Sequence, residues 1–121
     1  MMLETTPVYR AHAAVDALPE KLRVGAYDFA IQRWQPMQQM SMRRYGECST
    51  IELTIRVSRD IASTIKVVDT VTHEILHAMF WAYNIEDEDK EERTVGMLAT
   101  AWIAFYRDNP WYLDWVKEAL A

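Results

Sequence analysis

Two histidines one helical turn apart, with a glutamate beside the first, are the residues of this chain best suited to chemistry: His73-Glu74-Ile75-Leu76-His77. On an α-helix, positions i and i+4 share a face, so both imidazoles can reach one ion while Glu74 projects beside them. The H-E-x-x-H spacing suits a helix that binds zinc through two imidazoles and keeps a carboxylate ready to move a proton. These are two of the three histidines in the sequence. The third, His12, has no neighbour that suggests chemistry and reads as an ordinary surface or core residue.

Two imidazoles leave a catalytic zinc one ligand short, because such sites take three protein ligands and keep the fourth position for water. No histidine follows His77, so a carboxylate is the natural candidate, and the run Glu86-Asp87-Glu88-Asp89-Lys90-Glu91-Glu92 supplies several. Acids in a first helical turn also serve capping and the helix dipole. With Asp89 as N-cap, Glu92 takes the third helical position and is open to a capping bond. Glu91 lies one turn before Val95 and two before Leu98, on the face expected to pack against the histidine helix. Glu91 is therefore the favoured ligand and Glu92 the runner-up.

The elements that must position these groups follow from hydrophobic periodicity. A helix is predicted from about Ser63 to Tyr83, with Ile65, Val68, Thr72, Ile75, Leu76, Met79 and Tyr83 as its buried stripe and the histidines along the edge of that stripe. A second helix starts in the acidic run and continues through Val95, Leu98, Ala99, Trp102 and Tyr106 to Arg107. Asn109-Pro110 ends it and opens a third, Trp111 to Leu120, with Asn109 as N-cap and Pro110 at the first helical position. Upstream, Leu22 and Val24, a turn at Gly25-Ala26, and Tyr27, Phe29 and Ile31 predict a β-hairpin. Ile51, Leu53, Ile55 and Val57 alternate with Glu52, Thr54, Arg56 and Ser58, which predicts a strand of a one-sided antiparallel sheet. The methionines at 37, 40 and 42 read as packing, and the first twenty residues are weakly patterned. The expected fold is α+β: a small antiparallel sheet in the N-terminal half, packed on helices.

Composition bounds the rest. With 121 residues, half of them hydrophobic and five of them tryptophan, the chain can bury one core, so residues 1–121 are expected to form a single domain. Its apolar stretches are too short for a membrane span, and Met1-Met2-Leu3-Glu4 begins no signal peptide, so a soluble cytoplasmic protein is expected. The single cysteine, Cys48, precludes an internal disulfide and reads as a small buried hydrophobe. The net charge of −5 is local, because the run 86–92 holds six acids against one lysine. A balanced body with one acidic patch carries no footprint for nucleic acid or for an anionic membrane.

His73-Glu74-Ile75-Leu76-His77 followed by a glutamate on the next helix resembles the gluzincin zinc metallopeptidases, and the compact layout is similar to small phage-encoded H-E-x-x-H proteins. The stretch from Asp69 to Pro110 carries the resemblance. It implies a zinc ion held by His73, His77 and Glu91 or Glu92, Glu74 as general base, and an active-site helix under a short sheet. It further implies a peptide or protein substrate and, for a phage-encoded chain, the host-cell cytoplasm. Where several gluzincins carry an acid one turn after the ligand glutamate, this chain has Val95 and Gly96, so a backbone carbonyl or Asp69 would have to orient the histidines.

The mechanism expected on that basis is peptide hydrolysis by a zinc-activated water, with Glu74 taking its proton. Tyr83, Tyr106 and Arg93 are oxyanion stabilisers by residue type. An extended substrate is expected to pair with the strand Ile51 to Val57 at the sheet edge. The competing expectation is a non-catalytic zinc-binding or interaction protein of phage origin that retains the H-E-x-x-H helix. A metal-free structural or inhibitor-like protein is a third.

Overall fold

A computed structural model describes residues 6–34, 45–85 and 91–121, a few helical positions among them, Glu91 and Glu92 included, by their backbone alone. In chain order the elements are α1 (Pro7–Asp16), β1 (Lys21–Val24), β2 (Tyr27–Trp34), β3 (Gly46–Ser49), β4 (Thr54–Ser58), α2 (Thr64–Ala82), α3 (Glu91–Asp108) and α4 (Trp111–Leu120). This is the expected α+β architecture. The methionine cluster at 37, 40 and 42 and the acids at 86–90 lie outside the described residues.

The strand order is β1-β2-β4-β3. β1 and β2 form the expected hairpin, Lys21 opposite Ala30 through Val24 opposite Tyr27, around a turn in which Gly25 takes φ 59°. β4 runs antiparallel to β3 but parallel to β2, with Ala30 opposite Thr54 and Trp34 opposite Ser58. The sheet is therefore mixed, not wholly antiparallel. The strand expected over Ile51 to Val57 is also shorter and differently placed. Ile51 is 96% exposed and Leu53 sits at φ 52° in the β3–β4 turn, so pairing begins only at Thr54. Once paired, β4 is central, between β2 and β3. It cannot receive a substrate strand, because both its edges are occupied.

Alternation on β2 buries Phe29 and Ile31 and exposes Asp28, Ala30 and Gln32, while Trp34 at the strand end is buried out of that phase. α2 crosses this face, touching β1, β3 and β4, and α1 and α4 pack beside it. The opposite face carries a charged row: Arg56 binds Glu47 at 2.9 Å, Glu52 at 3.1 Å and Gln32 at 3.2 Å. Helices on one side and a salt-bridged row on the other define a two-layer domain.

The helix ends have identifiable causes. Thr6 caps α1 by accepting from the Tyr9 amide, and Pro7 follows at the first position. This helix occupies the weakly patterned N-terminal stretch and buries Ala11, Ala14 and Val15. Ser63 caps α2, accepting from the Lys66 amide. At its other end Asn84 takes φ 53° while the amides of Asn84 and Ile85 donate to the carbonyls of Trp81 and Phe80. That is a Schellman closure, with Asn in the left-handed position that Gly usually fills.

Asn109 does not act as the N-cap of α4. Pro110 holds that position without a side-chain cap bond, and the buried Asn109 amide instead binds the backbone of β1. Its Oδ1 accepts from the Arg23 amide at 2.9 Å, and its Nδ2 donates to the carbonyls of Arg23 at 2.7 Å and Phe105 at 2.9 Å. A side chain here does the work of a strand neighbour, tying the α3–α4 corner to the sheet.

Candidate metal centre

α2 buries Val67, Thr70, Val71, Glu74, Ile75, Ala78 and Met79. The buried stripe is rotated from the one expected: Ile65 is 71% exposed, and Val68 and Thr72 are half-buried. The rotation brings Glu74 onto the sheet-facing side at 7% exposure and leaves both histidines on its solvent border. Successive helical residues turn by about 100°, so Glu74 and His73 leave the helix in different directions from adjacent positions.

Among the described residues, His73, Glu74 and His77 each offer a ligand atom, and these atoms lie within 4.8 Å of one another. The two Nε2 atoms are 3.1 Å apart and the rings meet at 74°. Two nitrogens bound to one tetrahedral zinc at 2.0–2.1 Å stand about 3.3 Å from each other, so the imidazoles already hold nearly the required separation. Two nitrogens and a carboxylate are a donor set that fits zinc and other borderline divalent metals. The residues present fit a metal ion.

The wall facing the helix is β3. A Cβ built on Gly46 would stand 2.7 Å from Thr70 Cγ2 and 3.1 Å from Glu74 Oε2, so the strand lies directly on the α2 surface. Gly46 and Cys48 share this face, while Glu47 points the other way to Arg56. The result is an open cleft of about 380 Å³ lined by Gly46, Glu47, Cys48, Thr50, His73, Glu74 and His77. Cys48 is half-buried in this cleft, where a small core residue is expected from its type. Burial, then Glu74 and Glu47, push its thiol up to about 11.

β3 is the outer strand among the described residues. The Ser58 amide donates to the Tyr45 carbonyl, so in this antiparallel ladder the next pair, Gly46 and Val57, is a non-hydrogen-bonded one. By alternation, the N–H and C=O groups of Gly46 and Cys48 point outward from the sheet beside the His-Glu-His cluster.

α3 begins at Glu91, as the acidic run suggests, but the side chains of Glu91 and Glu92 lie outside the described residues. Of the three oxyanion stabilisers expected by type, Tyr106 belongs to an aromatic cluster with Trp102, Phe105 and Tyr112. Tyr83 caps α2 against the β1–β2 turn, near Gly25, and Arg93 is exposed on α3. None of the three lines the cleft. Asp69, expected as an alternative histidine partner, is exposed on α2 one turn before His73. The residues missed from sequence are Gly46 and Cys48, whose only available signal is their two-residue spacing in a short strand.

No helix among the described residues is long and apolar enough to cross a membrane. Comparison with protein-family models, with curated proteins and with solved structures finds no match for the chain.

Proposed function

We propose that this chain is a zinc-dependent peptidase of gluzincin type, with His73 and His77 as two ligands, Glu91 as the third and Glu92 as its runner-up. The observation that carries the reading is the pair of imidazole Nε2 atoms 3.1 Å apart, with a buried carboxylate in the same cluster. Zinc, when bound, supplies Lewis acidity and lowers the pKa of a coordinated water to about 7.

His73 and His77 would hold the ion through their Nε2 atoms. Glu74 leaves the helix toward the sheet and not toward solvent, which suits a proton carrier better than a third ligand. Its carboxylate receives a proton from the attacking water and hands it to the leaving amine. The outward N–H and C=O groups of Gly46 and Cys48 suit an extended peptide added as a fifth strand, which would lay its backbone along the cleft. This moves the expected substrate edge from the strand Ile51 to Val57 to β3.

The test is hydrolysis of a mixed peptide pool by zinc-loaded protein and by its Glu74→Gln variant, read by mass spectrometry. The reading expects cleavage by the parent, and loss of cleavage with full zinc retention in the variant. Cleavage by both proteins would exclude Glu74 as the base, and cleavage by neither would exclude the peptidase.

A further inference from the structure

The row of side chains that carries the histidines does not stop at the metal cluster. Trp81 follows His77 as His77 follows His73, four residues on, so it stands about 6 Å farther along the same flank of α2. It is 41% exposed and meets Tyr27, 40% exposed, with ring centroids 4.6 Å apart and planes at 51°. Buried Phe29 sets its edge against Trp81 at 6.1 Å and 89°, fixing the indole from below. Two half-exposed rings on a rigid support, one turn from the imidazoles, form an aromatic corner open to solvent.

The electrostatics of this corner select its occupant. Trp81 lies in the last turn of α2, where the helix dipole places partial negative charge and where there is no basic side chain. Arg23, on the neighbouring strand, lies on the other face of the hairpin and is paired with Asp28 at 3.2 Å. Aromatic faces beside a negative helix end attract cations. We infer that Trp81 and Tyr27 form a subsite for a basic side chain, arginine or lysine, of a bound peptide. Recognition beside a scissile bond presupposes the peptidase reading; recognition itself does not.

The test is a nuclear magnetic resonance titration of the full chain with capped pentapeptides that differ only in a central arginine, alanine, phenylalanine or glutamate. The Trp81 indole N–H and the Tyr27 ring signals are followed. The arginine peptide is expected to shift both signals and to bind roughly two- to fivefold more tightly than the alanine peptide, the range of an exposed cation–π contact. Trp81→Leu and Tyr27→Leu, with folding checked by circular dichroism, should each remove that preference. Equal binding of all four peptides, preference for phenylalanine or glutamate, or shifts that avoid these two rings would overturn the subsite. Arginine preference without hydrolysis of any peptide would sink the peptidase and keep the subsite; hydrolysis without arginine preference would do the reverse.

Discussion

Gly46 lies flush against Glu74: a methyl group on the strand residue would stand 3.1 Å from the carboxylate oxygen Oε2 and 2.7 Å from Thr70 Cγ2. The absence of a side chain at one strand position thus sets the distance between β3 and the helix that carries the cluster. Gly46→Ala should push the strand off α2 at a cost of about 1–3 kcal/mol, the usual penalty for overpacking. The expected result is a lower midpoint in urea together with slower peptide hydrolysis at retained zinc binding; an unchanged hydrolysis rate would mean that β3 does not position Glu74.

Cys48 makes the chemistry of the cleft readable without a substrate. Its thiol is pushed up to about 11 from 9.0, first by burial and then by Glu74 and Glu47. Thiolate is the reactive form, so metal-free protein at pH 8 should react with iodoacetamide at about one-hundredth of the rate of an ordinary thiol. The rate should climb until the pH nears 11. Because the folded protein holds this proton more tightly than the unfolded chain, its contribution is neutral below pH 9 and destabilising as the pH rises toward 11. Alkylation at pH 8 as fast as in urea would contradict the burial.

Asn109 joins β1 to the corner between α3 and α4 through bonds to both the N–H and the C=O of Arg23. Asn109→Ala leaves those backbone groups without their side-chain partners, which costs about 2 kcal/mol. Chemical denaturation should show that loss with zinc affinity nearly unchanged, since the clamp lies away from the cleft. Asn109→Asp restores the acceptor but not the donor and should recover only part of the stability.

How far these features could be read in advance depended on whether the deciding force was local. The ends of α2 follow from Ser63 as a cap and from continuous apolar spacing, and the hairpin follows from Gly25. The phase of α2 does not, because that helix is apolar on two flanks and packs against both the sheet and its neighbouring helices. Ile65 and Val67 are both plausible core residues by type, and tertiary packing buries only Val67. α1 hides behind alanines, Ala11 and Ala14, although Thr6-Pro7 marks its start. The parallel pairing of β2 with β4, and with it the outer position of β3 among the described strands, arises from contacts distant in sequence that no alternation pattern encodes. The His-Glu-His spacing is legible for the opposite reason: one helix carries all three groups.

The two acids at the start of α3 are separable by substitution. Glu91→Ala should lower zinc affinity about a hundredfold or more, as loss of a direct ligand does, while Glu92→Ala should change it far less. The reverse order would shift the ligand by one residue, and equal retention in both variants would place the third ligand elsewhere.

The central claim is that His73 and His77 converge on one divalent cation. Isothermal titration of metal-free protein with zinc tests it most directly. The account predicts one zinc per chain, abolished by either His73→Ala or His77→Ala and preserved by Glu74→Gln; saturable binding that survives both histidine substitutions, or no binding by the parent chain, would contradict it.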